Sequence, residues 1–393
     1  MRTLRQRFIA LGLIAGISAC AHQTRETSVE QERELASPVM NNSPTAAKEG
    51  EAWVCSFNVQ WVGFSNSRDD QALAQLMKDE DCEIVVVQEI IAPPEDAWVL
   101  RGADPDFIPE KRGRQLMYPT PDPKGRRNPL RGQSKTSAFF AAMEKAGYPN
   151  WVLSPGDTGP NNLHSNNSDT EWFAVFYRGQ HVQYAPDLPK GYLDLPLAKH
   201  PVYDRVPFAF PFRAKGGFDF VLISVHLAAD ANQAARRQDE MNAIQKWIRE
   251  QSRSHGERDF IVLGDFNIED AKELSGILPD RQWESLNEAC EATNTSPREG
   301  KPYDHVFLSR SATTIREVPS KLGNSAKANL LVVNLLEKME KPWARANRGK
   351  PYPGGGPRGG KWEGYDHTVF RTSYSDHHPI KFKISKKAAD DDQ

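Results

Sequence analysis

Apolar residues along this chain fall into short runs that alternate between two periods. Trp53-Val54-Cys55-Ser56-Phe57 reads as a strand, and Ile84-Val85-Val86-Val87 is a continuous β-branched run of the kind buried on both faces of a sheet. Between them Ala72, Leu73, Leu76 and Met77 share one helical face, with Ser67 or Asp69 as the N-cap. Further strands are expected over Trp172 to Tyr177, Phe218 to Val225, Phe260 to Leu263 and Val306 to Leu308. A last strand, from Pro379, alternates Ile380, Phe382 and Ile384 with Lys381 and Lys383. Ala234, Met241, Ile244 and Ile248 form the buried stripe of a helix running from about Asp230. Many strands with helices placed between them predict an α/β fold: a two-layer sheet sandwich faced with helices. Neither an internal repeat nor a second boundary signal appears, so one folded domain is expected, over residues 51–386, ahead of a polar tail at 387–393. Two stretches depart from the pattern. Residues 92–135 carry many prolines, glycines and a basic run, and residues 340–366 hold Gly354-Gly355-Gly356 and Gly359-Gly360 among Lys and Arg. Both are expected to be long surface loops.

The first 20 residues belong to targeting. Arg2, Arg5 and Arg7 form a basic start, and the apolar run Phe8 to Ile17 is too short for a bilayer core, which needs about 20 residues. Ile17-Ser18-Ala19-Cys20 resembles a bacterial lipobox, which makes 1–20 a lipoprotein signal peptide and Cys20 the lipidated first residue of the mature protein. Residues 21–50, rich in Gln, Glu, Ser, Thr and Asn, read as a flexible tether with a reach of about 30 Å. Ala21 resembles an outer-membrane retention signal. The expected location is therefore exported and lipid-anchored to a bacterial membrane, the outer membrane facing the periplasm or the cell surface. With Cys20 set aside, Cys55, Cys82 and Cys290 allow at most one internal disulfide and one spare thiol. Cys55 and Cys82 flank consecutive strands, and either a bond between them or two buried small hydrophobes would suit.

Composition adds little beyond a bound. A formal net charge of −2 makes no global demand for nucleic acid, so any preference for anions must come from local clusters. One such cluster runs from Lys111 to Lys135, where Lys111, Arg112, Arg114, Lys124, Arg126, Arg127, Arg131 and Lys135 face the single acid Asp122. It suits a phosphate backbone. Its aromatic content is thin, with only Tyr118, so stacking of single-stranded bases is not expected.

The chemistry-bearing residues gather at strand ends. Asn58 follows the first strand and Gln88-Glu89 the second; His226 ends a third, and Gly264-Asp265-Phe266-Asn267 follows a fourth. Tyr303-Asp304-His305 opens another strand, and Ser375-Asp376-His377 stands before the last. Glu89, Asp265, Asn267, Asp304 and Asp376 offer the hard oxygen ligands that Mg²⁺ prefers, while His226 and His377 offer proton transfer near neutral pH. No thiol or multi-His cluster has zinc spacing.

In this order, Phe57-Asn58-Val59-Gln60, Val87-Gln88-Glu89, Ser224-Val225-His226-Leu227, Gly264-Asp265-Phe266-Asn267, Tyr303-Asp304-His305-Val306 and Ser375-Asp376-His377-His378-Pro379 resemble the endonuclease/exonuclease/phosphatase superfamily, over about residues 53–385. That resemblance implies a deoxyribonuclease I-like, four-layer sandwich of two mainly antiparallel sheets flanked by helices, with the site at one rim. It implies Mg²⁺ (or Mn²⁺) held by Asn58 and Glu89 with Asp376 nearby. It sets Asp265 and Asn267 toward the attacking water and the phosphate or a second metal, and pairs Asp304 with His377 and Glu171 with His226. Glu171 matches because it opens a strand ending Tyr177-Arg178, and Arg205 matches a phosphate-contacting arginine. His305 and His378 match no fixed family position. Two departures weaken a duplex-DNA reading: Ile91 and Asp169 stand where deoxyribonuclease I carries an arginine and a tyrosine. The expected activity is metal-dependent phosphodiester hydrolysis by a membrane-anchored monomer. The expected substrate is DNA or RNA, bound by Arg205, Arg126, Arg127 and Arg131. A lipid-headgroup or small-phosphoester hydrolase is the alternative.

Overall fold

The computed structural model describes residues 51–65, 67–95, 110–112, 115–117, 132–155, 171–195, 200–278, 283–309, 330–358 and 361–385. The leader with Cys20, the tether, the polar tail, Asp169, Arg126, Arg127 and Arg131 lie outside them. In chain order the first half holds strands β1 (Glu51–Val62) and β2 (Cys82–Ile90) around helix α1 (Asp70–Asp79). A short hairpin, β3 (Glu110–Arg112) and β4 (Gln115–Met117), precedes helix α2 (Gln133–Ala146). Strands β5 (Asn150–Leu153), β6 (Trp172–Tyr177), β7 (Val182–Tyr184) and β8 (Gly191–Tyr192) follow. The second half begins with β9 (Phe208–Ala214), β10 (Asp219–His226) and helix α3 (Ala234–His255). Then come β11 (Phe260–Asp265), α4 (Ala271–Ile277), β12 (Trp283–Ser285) and β13 (Asp304–Ser309). The chain closes with β14 (Leu330–Val332), α5 (Leu335–Lys338), α6 (Glu340–Ala346), the hairpin β15 (Gly354–Arg358) and β16 (Lys361–Tyr365), α7 (His367–Ser373) and β17 (Ile380–Ser385).

These strands form two large sheets. One runs β14-β17-β1-β2-β6-β5-β3-β4, and the other β12-β13-β11-β10-β9-β7 with β8 also on β9. Each has one parallel pair near its middle, β1 with β2 and β10 with β11, and every other pairing is antiparallel. The period-2 rule then sorts the side chains. Val54, Ile84, Val86 and Val175 point inward and meet Phe208, Phe210, Phe220, Leu222 and Ile261 of the second sheet. Cys55, Phe57, Val85 and Val87 point outward under Leu73 and Met77 of α1 and Phe139 and Met143 of α2. On the far side Val221, Ile223, Val225 and Val262 pack beneath Met241, Ile244 and Ile248 of α3. The result is helix, sheet, sheet, helix: four layers, with strands buried on both faces and hence written as continuous apolar runs. Cys55 and Cys82, on the outward face, are joined by a disulfide, and Cys290 is buried outside it.

Several details differ from the pattern-based expectation. The stretches 92–135 and 340–366 are not simply loops: the first contains the β3–β4 hairpin and the start of α2, the second contains α6 and the β15–β16 hairpin. Gly355 makes that hairpin possible, at φ 64°, where a Cβ would stand 2.4 Å from the Glu363 carbonyl oxygen. Asp69 rather than Ser67 caps α1, its side chain accepting from the Ala72 amide at 3.0 Å. Helix α3 starts at Ala234 after a 3₁₀ turn; Ala234 is only partly buried, and the buried stripe holds Arg237 and Glu240 beside Met241, Ile244 and Ile248. Lys381 of β17 is buried, its ammonium on Glu80 at 2.7 Å and over the Trp53 ring, so the lysine face of that strand is covered.

Candidate active site

The parallel pairs bring polar strand ends to one rim. In the first sheet the β1–β2 ladder holds through Asn58 opposite Gln88, breaks, and resumes at Val62 opposite Ile90. The surplus residues of β1 form a bulge there, with Gln60 at φ 49°, Trp61 at φ 53° and, across from them, Glu89 at φ 59°. Left-handed non-glycine residues concentrated at one spot are a mark of a functional rim. Asn58 bridges the two sheets: its amide donates to Glu89 Oε1 at 2.8 Å and to Asp265 Oδ2 at 3.0 Å. Asp265 Oδ1 accepts from the Asn267 amide at 2.9 Å, and Asn267, at φ 52°, donates through its side chain to the Leu227 carbonyl. Asp376 Oδ2 accepts from Gln60 Nε2 at 2.7 Å, while its buried Oδ1 has no hydrogen-bond partner.

Two imidazoles face this group, each held from behind. His226 Nδ1 lies 2.8 Å from Glu171 Oε2, and His377 Nδ1 lies 2.8 Å from Asp304 Oδ2. Their opposite edges converge: His226 Nε2 is 3.6 Å and His377 Nε2 3.5 Å from the same atom, Asp265 Oδ2. Burial disfavours charge on His377, but the carboxylates of Asp304 and Asp265 outweigh it and hold the imidazolium well above the usual range. His226 is raised too, burial and Arg205 being overcome by Glu171 and Asp265. Burial also opposes charge on Glu171, yet His226 and Arg205 bring its carboxyl down to about 2. Glu89 goes the other way, burial together with Glu171 and Asp376 pushing it up to about 7.

Profile comparison matches residues 55–377 to the Endonuclease/Exonuclease/phosphatase family. The chain belongs to this family. Its members are phosphoester hydrolases, typically dependent on a divalent metal. Similar solved structures include a family protein from Bacteroides thetaiotaomicron, 16% identical, covering 85% of this chain and 94% of that one, with a TM-score of 0.46. Another is the human Nocturnin catalytic domain with bound sulfate anion, at 14% identity, 86% and 95% coverage and 0.45. A third is D. rerio TDP2 complexed with single strand DNA product, at 15%, 85% and 99%, and 0.43. No curated protein matches the chain.

The residues present fit the divalent cation that this family typically uses. Glu89, His226 and Asp265 place one potential ligand atom each within 4.8 Å of one another; with His226 protonated, the oxygens of Glu89 and Asp265 remain as donors, and the buried Asp376 Oδ1 has no hydrogen-bond partner. Glu89 is thus common to this cluster and to the set expected from the motifs; Asn58 serves it by turning its amide N–H toward the carboxylates. Arg205 reaches the site indirectly. Its Nε lies 2.7 Å from Glu171 Oε1 and its Nη1 3.2 Å from Asp204 Oδ2, beside a cavity of ≈ 860 Å³ that Ala228 and Arg236 also line. His305 and His378 turn to structural partners, Ser285 Oγ and the Leu335 amide.

Two further supports are not foreshadowed by the motifs. The buried guanidinium of Arg68 donates to the carbonyls of Val59, Gln60 and Tyr374, tying the β1 bulge to the loop that carries Asp376; burial lowers its pKa to about 10. Glu240 accepts the amides of Asp204 at 2.7 Å and Ala228 at 2.9 Å, joining the Arg205 and His226 loops. Both are charged residues in ordinary surroundings, and nothing in their local sequence separates them from solvated ones.

Proposed function

We propose that the chain is an exported, lipid-anchored, Mg²⁺- or Mn²⁺-dependent phosphodiesterase that cleaves DNA or RNA. The observation carrying the hydrolytic reading is the convergence of two carboxylate-backed imidazoles on Asp265 Oδ2 beside Glu89 and Asp376. In this reading Asp265 takes the proton of the attacking water, and Asn267 orients that water. His226 and His377, kept charged by Glu171 and Asp304, donate from Nε2 to phosphoryl oxygens whose charge grows as the phosphorus–oxygen bond to the leaving alcohol breaks. Glu89 and Asp376 would hold the divalent cation, which would supply Lewis acidity to the phosphate. Arg205 keeps Glu171 ionised, and Glu171 in turn keeps His226 protonated and fixes its ring through Nδ1.

Nucleic acid is the preferred substrate because the basic segment from Lys111 to Lys135 runs into α2, and Lys135 donates to the Phe64 carbonyl at 2.6 Å, two residues past the β1 strand. Export is supported by the Cys55–Cys82 disulfide, a bond that persists in oxidising compartments. The lipid anchor favours one rival reading, hydrolysis of headgroup phosphoesters. Purified protein with Mg²⁺ should release acid-soluble nucleotides from a plasmid and no choline phosphate from sphingomyelin; the opposite result overturns the nuclease reading.

A further inference from the structure

Most large apolar side chains in the described residues are covered, but two aromatic ones beside the site are not. Trp61 is 42% and Phe64 56% exposed. Both belong to the tight turn that follows the β1 bulge, closed by the Phe64 amide on the Trp61 carbonyl at 2.9 Å. Gly63 is required there: at φ 102° a Cβ would meet Thr136 Oγ1 at 2.8 Å, so the turn sits directly against the start of α2. Ser65 adds a hydrogen bond to the Thr372 carbonyl of α7, and Lys135 one to the Phe64 carbonyl. The turn is therefore braced from two helices, although its two rings contribute little to the core. Their exposure calls for a partner.

Three observations indicate what that partner is. The Trp61 amide donates to Glu89 Oε2 at 3.2 Å, so the indole begins one residue's reach from the cluster that would engage the phosphate. The two rings stand at 76° with centroids 5.8 Å apart, a right-angled pair whose exposed faces would take one planar group flat on one ring and edge-on to the other. The Arg371 guanidinium lies over the indole, 5.7 Å from its centroid, and its Nε has no hydrogen-bond partner, which brings positive charge to the same ring. A planar group, a nearby anion and a short link between them describe a nucleotide. A base inside a duplex is already stacked and paired, so only an unpaired base can enter the corner.

We propose that Trp61 and Phe64, backed by Arg371, form a stacking subsite for an unpaired nucleobase next to the scissile phosphate, which makes single-stranded nucleic acid the substrate class. This rests on the nuclease reading above and reverses the expectation, from the thin aromatic content of the basic segment, that base stacking plays no part. The rings that stack come instead from the end of a strand.

The test uses the Glu89→Ala background, in which a strand can bind without being cut. Anisotropy of a labelled single-stranded oligonucleotide should show Trp61→Ala weakening binding by about tenfold or more and Phe64→Ala by a smaller factor. An abasic strand of equal length should bind the same proteins with no such difference, and Trp61→Phe should recover most of the loss. Retention of oligonucleotide affinity in both alanine variants, or an equal loss on the abasic strand, overturns the stacking subsite while leaving the nuclease reading intact. A parent that neither binds nor cuts any strand but releases choline phosphate fails at the earlier step, and the subsite falls with it. Sedimentation with phosphatidylcholine vesicles that depends on Trp61, with oligonucleotide binding unaffected, would assign the corner to a lipid surface and overturn the proposal.

Discussion

Asp265 Oδ2 collects more of the site than any other described atom: the Asn58 amide and the near edges of two imidazoles all point at it. Glu89 sits beside it with a carboxyl pushed up to about 7 by burial and neighbouring acids, the signature of oxygens gathered without enough positive charge among them. In the proposed function a bound cation would supply what is missing. Glu89→Ala should therefore lower turnover by several orders of magnitude with an unchanged melting temperature, and excess EDTA should do the same to the parent. Full activity in either case would end the metal assignment. These residues are legible in the sequence because polar groups at the ends of apolar strands stand out. Arg68 and Glu240 are not, since buried charge is the exception and only their partners reveal it. His305 offers a pH test at the same scale. Burial lowers its pKa from 6.5 to about 4, so the neutral ring is the folded form and the unfolded chain binds the extra proton between those values. Stability is then complete above pH 6.5 and lost as pH falls toward 4, by up to about 3 kcal/mol from this ring. Urea titrations should show the parent losing more than His305→Gln over that window; parallel profiles would mean the ring is charged in the fold.

The elements that carry the site are the two central parallel pairs, and each is visible in the sequence as an apolar run ending in a polar motif. The irregular parts are not. Helix α2 buries Phe139, Phe140, Ala142 and Met143, a clear stripe, but it follows a basic and proline-rich segment that makes the whole stretch resemble a loop. The β1 bulge is hidden because the ladder it interrupts exists only once β2 is beside it. The disulfide is undecidable from sequence for the same reason, because pairing depends on where the strands lie. It joins β1 three residues before Asn58 to β2 seven residues before Glu89, on the face away from the second sheet. Its sequence separation of 27 places the expected stabilisation at about 3.5 kcal/mol. The double variant Cys55→Ala/Cys82→Ala should lose that much in urea titrations and match the reduced parent. Turnover at low temperature should be kept, because Asn58, Glu89 and Asp265 remain hydrogen-bonded to one another. A larger loss of turnover than of stability would mean that the bond tunes the site.

At the scale of the whole molecule, the proposed function divides the work of reaching a substrate among the expected anchor and tether, the candidate site and the basic segment. Under the lipoprotein reading, Cys20→Ser should move the protein from the detergent phase to the aqueous phase with turnover unchanged, since the expected tether of roughly 30 Å would separate lipid from site. Equal partitioning of both forms would sink the lipoprotein reading. The basic segment is the separable element for affinity. None of its charges matches a catalytic motif, so neutralising Arg126, Arg127 and Arg131 together should raise KM on nucleic acid and leave saturated turnover alone, as loss of uniform binding requires. Fewer counterions are then released on binding. The log–log salt slope should shrink by up to roughly 3 on B-DNA, or roughly 2 on a single strand. The two slopes also bear on the stacking corner, because a single strand held partly by Trp61 should keep more of its affinity at high salt than a duplex does. Bis-p-nitrophenyl phosphate, too small to reach the segment, should be cleaved at the same rate by parent and triple variant. An unchanged KM and salt slope would leave the segment a solvated loop and bring the headgroup hydrolase level with the nuclease.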